Sequence, residues 1–346
     1  MNPVLRREVL ERFRTRRSPW FLFSWTIGIG LIGYVSYLVS QQVSSSILGR
    51  LLATEYMGNF LFQAMALLMM STVILIVPGV TALSIVSERE RQTLPLLQIT
   101  QLTPLQLVLG KLSSSISYFL LLLVAVAPVV AIPLLFGGMS FGDVFAALTM
   151  MLATAIMLGS ASIAISSRAR SSRGAVAGSY AFAFVIGFLT FALILAELLL
   201  IKPSNQSLIP PRGREFYSSW LNPYVGMVDA IRVPLRSQTN FTLTPFTPID
   251  ALIYARQGTS NGGMFLGMAA MPLFSGREGV IPMEMIAPPA DGDGGALVRL
   301  RRGPVWVRTL VLYAAVTGLA LLRAAQVVRA PARRILSTKR RRRAPA

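Results

Sequence analysis

Residues 87–111, SERERQTLPLLQITQLTPLQLVLGK, lie between two long stretches that contain no charged residue. The segment begins with four charges in five residues, continues with a short apolar patch and ends at Lys111. If the flanking stretches cross a bilayer, this is the largest internal loop able to contact a soluble partner. We therefore treat 87–111 as the segment around which the fold is organised.

The composition places the chain among membrane proteins. It has 346 residues, 53% of them hydrophobic, and a mean hydropathy of +0.60, which is too apolar for a soluble domain of this length. The sequence contains no cysteine and no histidine. These absences exclude Ser-His-Asp and Cys-His catalysis and the usual zinc sites, so we expect no catalytic residue, no metal site and no cofactor bound by this chain.

The net charge of +19 admits two explanations. Basic clusters can bind nucleic acid, but Lys and Arg also accumulate in the cytoplasmic loops of membrane proteins. In a chain this apolar we favour the second explanation and expect no nucleic-acid partner. The basic run Lys339–Arg343 could instead bind anionic membrane lipid.

The pattern predicts an all-α polytopic membrane protein with six transmembrane helices, an N-terminal interfacial helix and a long external region between spans five and six. Residues 1–17 place Leu5, Val9 and Phe13 on one helical face, which predicts a helix on the cytoplasmic membrane surface, although a simple basic anchor explains the same residues. Spans one to five fall within 18–201, at 19–40, 56–87, 112–142, 144–167 and 175–201. The external region covers 202–304, span six 305–328 and a basic tail 329–346.

Within 87–111 the sequence predicts two helix starts. Ser87 and Glu90 have the spacing of a capping box, and Thr103-Pro104 is a cap followed by proline at the first helical position. We expect a helix, a turn, a short interfacial helix and a second turn before span three. Pro78-Gly79 predicts a kink in span two, while Pro128 and Pro133 predict a bent or broken end to span three.

The distribution of positive charge predicts the orientation. With both termini in the cytoplasm, the inner segments hold 20 Lys and Arg residues, and the long 202–304 region is discounted because long loops translocate regardless of charge. Both termini are therefore predicted to be cytoplasmic.

The loop sequence resembles that of ABC-2 type transporter permeases, whose pattern E-R-E-x-G-T-L-x-x-L-L-x-T-P-L follows span two and precedes a Gly-Lys pair. The run 88–100 matches it, with Leu102-Thr103-Pro104-Leu105 and Gly110-Lys111 behind, although Gln92 replaces the glycine and Pro95 stands where a helix former is usual. Leu221-Asn222-Pro223-Tyr224 also resembles a motif found after span five of the family.

The resemblance implies a permease subunit of the bacterial inner membrane that pairs with a second copy and docks separate ATPase subunits, which bind ATP and Mg. It further implies that the loop carries a coupling helix seated in the ATPase. The residues expected to contribute are Glu88, Glu90, Arg91, Thr93, Leu94, Leu96, Leu97 and Thr100.

Other residues were weighed as functional groups inside the membrane. Asp143, Glu197 and Arg308 are ionisable candidates near span ends, although all three can reach the interface. Ser160, Ser162 and Ser166 could line a path for a hydrophobic or amphipathic substrate, which suits an exporter.

Two alternatives stay open: a non-transporting membrane anchor or assembly subunit, and a lipid-modifying enzyme that uses carboxylates such as Asp229, Asp250 or Glu284.

Overall fold

The computed structural model describes residues 17–43, 53–92, 103–136, 140–200, 217–231 and 305–328, and these ranges are almost entirely helical. A π-helical turn, Val185–Leu189, joins the two halves of the fifth long helix, and a 3₁₀ turn, Tyr217–Trp220, precedes a short helix. The helices are α1 Arg17–Val43, α2 Ala53–Glu90, α3 Pro104–Phe136, α4 Phe141–Arg168, α5 Ser172–Phe184, α6 Thr190–Leu200, α7 Pro223–Ala230 and α8 Val305–Val328.

In the described part of the chain, five helical segments are long and apolar enough to cross a membrane. They are Phe60–Glu90, Pro104–Phe136, Phe141–Arg168, Ser172–Ile194 and Val305–Val328. α1 contributes the shorter apolar stretch Leu22–Leu38, so a total of six spans stays a prediction. The chain is therefore a multi-pass membrane protein whose described residues are almost entirely helical.

α2 and α4 form the centre of the bundle. In the apolar stretch of each helix, 61% of α2 and 56% of α4 is buried inside the protein, against 17% of α8. Gly159 of α4 leaves room for α3, because a Cβ at this position would lie 2.9 Å from Leu112 Cδ1, whereas Val77 and Thr81 of α2 would be at an ordinary contact distance of 3.6 Å. Flexible methionines fill much of the remaining space, including Met65, Met70, Met150, Met151 and Met157.

Capping residues fix where two of the helices begin. Ser140 and Asp143 form a capping box at α4, in which each side chain accepts a hydrogen bond from the other residue's backbone N–H. At α3, Thr103 N–H donates to Gln106 Oε1 and Gln106 N–H donates to Thr103 Oγ1, with Pro104 as the first helical residue. The predicted cap at Thr103-Pro104 is thus confirmed.

The helix start predicted at Ser87 is wrong. α2 continues to Glu90, so Ser87 lies in its last turn and its hydroxyl donates to Leu83 O at 2.5 Å instead of capping a new helix. α3 is continuous from Pro104 through Lys111, so no turn separates its start from span three. The short interfacial helix predicted between the end of α2 and Thr103 lies outside the described residues. A serine followed three residues later by a glutamate can stand in the last turn of a helix as well as at a helix start. In the second helix, no residue between Pro104 and Lys111 ends the helix once it has begun.

Prolines inside the long helices do not end them. α2 runs through Pro78, and α3 runs through both Pro128 and Pro133 to Phe136. Near Pro78 the Tyr180 hydroxyl of α5 donates to Leu75 O at 2.9 Å. Gly79 leaves room for this ring, since a Cβ there would lie 2.6 Å from the Tyr180 hydroxyl oxygen. A neighbouring helix therefore supplies a hydrogen bond to the backbone near the proline.

Candidate coupling site at the charged end of the bundle

The last turn of α2, the first two turns of α3 and the turn between α4 and α5 meet at one end of the bundle. We call this the charged end and define it by Glu88–Arg91, Lys111 and Arg168–Arg173. Three consecutive residues of α2, Glu88, Arg89 and Glu90, each bind a different neighbouring element there. The segment between α2 and α3 thus begins and ends at a region with many hydrogen bonds.

Glu88 forms an ion pair with Lys111 of α3. Lys111 Nζ lies 2.6 Å from Glu88 Oε1, and the two side chains are 3% and 22% exposed. An enclosed ammonium group needs a counter-charge, because losing its water is costly. This pair therefore joins the end of α2 to the first turns of α3.

Arg89 binds the end of α4. Its Nη2 donates to Ser167 O at 2.6 Å and its Nη1 donates to Ala169 O at 2.9 Å. Carbonyls at a helix C-terminus lack partners within the helix, and a cation is favourable at that end of the helix dipole. The forked guanidinium satisfies two carbonyls at once.

Glu90 binds the start of α5. Its Oε1 accepts from Ser172 N–H at 2.7 Å and its Oε2 accepts from the Ser172 hydroxyl at 2.5 Å. The first backbone N–H groups of a helix have no helical partner, and a carboxylate is favourable at this positive end of the dipole. Arg89 and Glu90 together hold both sides of the α4–α5 turn.

One turn further into the bundle, Ser166 strengthens the same junction. Its Oγ accepts from the backbone N–H groups of Ile85 at 3.3 Å and Val86 at 3.1 Å. Ser166 is fully buried, as are the neighbouring side chains of Ile85 and Ile163. The end of α2 is consequently fixed to α4 by backbone as well as side-chain contacts.

The structure places only some of the residues expected to contact an ATPase. Glu88 and Glu90 make the contacts above, and Arg91 is exposed. Gln92, where the resembled pattern has glycine, has a φ of 57°, a left-handed conformation that glycine adopts more easily. The coupling residues Thr93, Leu94, Leu96, Leu97 and Thr100, like Leu5, Val9 and Phe13 of the predicted interfacial helix, lie outside the described residues.

The ionisable candidates near the span ends have individual structural settings. Asp143 is half-buried and belongs to the capping box of α4. Arg308 places its guanidinium carbon 5.1 Å from the centre of the Trp220 ring, a cation–π contact. The backbone of Glu197 lies in α6, and its side chain is outside the described part of the chain.

The serines expected along a transport path are enclosed by packing. Ser160, Ser162 and Ser166 of α4 are all fully buried. Ser160 donates to Met157 O, and Ser166 accepts from α2 as described above. In this conformation they sit among the described helices and do not line an open passage.

A second buried polar cluster lies at the opposite end, where the described part of the 202–304 region packs into the bundle. Asn222 caps α7, with its Oδ1 accepting from the N–H groups of Tyr224 and Val225. Its Nδ2 donates to Gly187 O at 3.4 Å and to Thr190 Oγ1 at 3.1 Å. Gly187 lies in the π-helical turn and Thr190 directly follows it, with the Thr190 N–H donating to Val185 O, five residues earlier. Asn222 therefore supports the backbone at the π-helical turn.

Further contacts tie residues 221–229 to two long helices, α2 and α8. The Tyr224 and Ser71 hydroxyl oxygens are 2.8 Å apart, and Tyr313 of α8 donates to Leu221 O at 2.8 Å. The Asp229 carboxylate accepts from Trp306 N–H in the first turn of α8 at 3.1 Å. Residues 217–231 are therefore part of the bundle and not a separate cover.

Sequence reasoning missed most of the partners at both ends. Gly110-Lys111 was noted as a pair, but nothing in the sequence indicated that Lys111 is buried or that it meets Glu88. Ser166 was expected along a transport path and not at this junction, and Ser172 has no distinguishing signal, because serine is common in apolar helices. The Asn222-Pro223 step carried a usable signal, since asparagine before proline favours the start of a helix.

The bundle of apolar helices, with a polar connection between the second and third long helices, defines a multi-pass helical membrane protein. The family model for ABC-2 family transporter proteins matches residues 36–210, and the chain belongs to this family. The match covers α2 to α6 and the whole segment 87–111. A search of curated proteins gave no match.

Proposed function

We propose that the chain is the permease subunit of an ATP-driven exporter and that residues 91–102 couple it to a separate ATPase. The observation that carries this proposal is the arrangement of Glu88, Arg89 and Glu90, which bind α3, α4 and α5 respectively. A segment that leaves α2 from this point and enters α3 at Thr103 is attached to four helices. A protein that docks on it can therefore act on most of the bundle.

Coupling requires a physical connection that favours one arrangement of the helices over another. The Glu88–Lys111 pair joins the two ends of the loop, so a push on the loop would move α2 and α3 together. Arg89 and Glu90 would pass that movement to the α4–α5 turn. The short polar contacts make this end stiff, whereas the methionine-rich centre has side chains that adapt more easily.

ATP and Mg would be bound by the partner. Gly110-Lys111 lacks the earlier glycine of a phosphate-binding loop, and Leu112 stands where that motif has Ser or Thr. The proposed assembly contains two permease copies and two ATPase subunits in the bacterial inner membrane, with both termini cytoplasmic. The apolar and hydroxyl-bearing interior suits a hydrophobic or amphipathic substrate.

The rival proposals make different use of the same residues. A non-transporting anchor would bind the ATPase without ATP-dependent movement of a solute. A lipid-modifying enzyme would need a reactive carboxylate. Of the candidates, Asp250 and Glu284 lie outside the described residues, and Asp229 has a structural role because it accepts from the Trp306 backbone at the start of α8. This role of Asp229 favours the anchor as the stronger rival.

Co-purification with the candidate ATPase tests the coupling assignment. The variant Leu96→Asp/Leu97→Asp places two charges on the apolar patch, and we expect it to lose the ATPase. The matched control Gln98→Asp/Gln101→Asp adds the same charge to the same loop at polar positions and should retain most of it. If the leucine variant folds and still binds the ATPase like the unmodified chain, the assignment is wrong.

ATP-dependent transport then separates the exporter from the anchor. Proteoliposomes containing the permease and its ATPase should move a hydrophobic dye when ATP is supplied, and the loop variant should not. If a complex that hydrolyses ATP moves none of a panel of hydrophobic and amphipathic solutes, the anchor becomes the better description.

A further inference from the structure

Three arginines surround the short turn between α4 and α5. Arg168 is the last residue of α4, Arg170 lies in the turn, and Arg173 is in the first turn of α5. All three are exposed. Because only Ala169, Arg170 and Ser171 separate two membrane-length helices, the three guanidinium groups originate where the apolar segments end.

The charge of this cluster is poorly balanced. Arg91 is also exposed and directly follows Glu90, which binds Ser172, so a fourth cation lies near the turn. Glu90 is one negative charge against four positive ones, and the other nearby carboxylate, Glu88, pairs with Lys111. Within the described ranges, Arg168, Arg170 and Arg173 form no ion pair.

We propose that the α4–α5 turn binds the phosphate group of an anionic phospholipid through Arg168, Arg170 and Arg173. The planar guanidinium group donates two parallel hydrogen bonds to phosphate, which makes arginine well suited to this ligand. Basic pockets between membrane helices bind such headgroups. The inference does not depend on the proposed ATPase coupling.

The length of the turn favours a lipid over an acidic protein surface. The headgroup layer extends roughly 5–8 Å beyond the hydrocarbon on each side of a bilayer. A connection of three residues keeps its side chains within that layer, where phosphate is abundant. Glu90 already satisfies the Ser172 N–H, so the site consists of arginine side chains and not of the helix terminus.

A bound headgroup would also affect the charged end. The phosphate would lie beside the bonds that Arg89 makes to Ala169 and that Glu90 makes to Ser172. A ligand that binds only the folded arrangement stabilises it. Anionic lipid should therefore raise the thermal stability of the chain, and neutral lipid should not.

The test compares cardiolipin binding by full-length variants, measured by native mass spectrometry in detergent. Each arginine removed should weaken binding about fivefold, so Arg168→Gln/Arg170→Gln/Arg173→Gln should weaken it on the order of a hundredfold. The control Arg323→Gln removes an exposed arginine from the last turns of α8 and should weaken cardiolipin binding by about fivefold at most. All variants keep the same termini, so the difference reports on the turn.

Two further arms identify the ligand. Replacing the three arginines with lysine keeps the charge but loses the fork, and should give intermediate binding. Adding inorganic phosphate should not displace cardiolipin from the unmodified chain, because the acyl chains contribute to binding; full displacement would mean that the site binds free phosphate.

Equal cardiolipin binding by the triple glutamine variant and the unmodified chain would overturn the proposal. So would a variant that keeps cardiolipin but loses the ATPase, since the arginines would then form a protein contact. Thermal unfolding in neutral phosphatidylcholine checks that each variant is folded. If the triple variant fails this check, the single change Arg170→Gln, in the turn itself, decides the question by the presence or absence of the fivefold loss.

Discussion

The Glu88–Lys111 pair can be broken from either side, and we expect the two breaks to differ in cost. Glu88→Gln leaves the Lys111 ammonium group, whose side chain is 3% exposed, without its counter-charge. Lys111→Met leaves the Glu88 carboxylate, whose Oε2 is buried but whose side chain is 22% exposed and can rotate toward water. Because an isolated charge costs more where it is more deeply enclosed, Glu88→Gln should be the more destabilising change.

The magnitude follows from the burial of each partner. Removing one member of a buried pair typically costs about 3–5 kcal/mol. For Glu88→Gln we expect about 3 kcal/mol, near the lower limit because the site lies at the end of the bundle. For Lys111→Met we expect about 1–2 kcal/mol, since rotation of the partly exposed Glu88 side chain would bring the remaining carboxylate to solvent. The double variant should cost less than Glu88→Gln alone, because no charge is then left buried.

The free energy of unfolding should be measured by denaturant titration of the chain in mixed micelles, for both single variants and the double variant. A double-mutant cycle then isolates the interaction, which should exceed about 1 kcal/mol. If Lys111→Met is the more destabilising variant, or if the two changes are simply additive, the pair does not stabilise the charged end in the way described here.

Three further changes test other parts of the bundle. Arg89→Gln should lower the free energy of unfolding by about 1–3 kcal/mol, because it removes two charged hydrogen bonds to the end of α4; a thermal shift no larger than that of Arg91→Gln would contradict this role. Asn222→Ala should cost about 2–3 kcal/mol by removing the α7 cap and the donor to Gly187 O, and hydrogen exchange of the α5–α6 backbone should rise with it. Gly226→Ala should destabilise the protein by about 1–2 kcal/mol, because the new Cβ would lie 3.2 Å from Thr309 Cγ2 and 2.6 Å from Met150 Cε, and both of these side chains are fully buried, which limits how far they can move. Gly318→Ala, with nothing within 4 Å, should be neutral or slightly stabilising in the same assay.

The sequence was sufficient to predict the long helices, because long stretches without charge can be buried in lipid only as regular helix. It also located the polar segment between α2 and α3 and the Thr103-Pro104 cap. The helix ends were less accurate. Ser87 and Glu90 have the spacing of a start signal, yet α2 passes through both, since tertiary contacts from Lys111 and Ser172 extend it to Glu90.

Contacts between distant residues could not be predicted in the same way. Glu88 and Lys111 are 23 positions apart, and Arg89 reaches carbonyls about 80 positions away. These partners depend on how helices pack, and charge-free helices give little information about which of their faces meet. The π-helical turn at Val185–Leu189 likewise has no local signal, because the residue that supports it, Asn222, follows after a long connection.

Site-specific cross-linking would test the central claim most directly, since the chain has no cysteine and one introduced thiol is therefore unique. Leu97→Cys carries a photoreactive cross-linker in the proposed coupling segment. Leu135→Cys, an 86% exposed position near the other end of α3, carries it in the control. We predict a cross-linked product with the ATPase from Leu97→Cys and none from Leu135→Cys. No product from Leu97→Cys in a complex that still hydrolyses ATP, or equal products from both positions, would contradict the account.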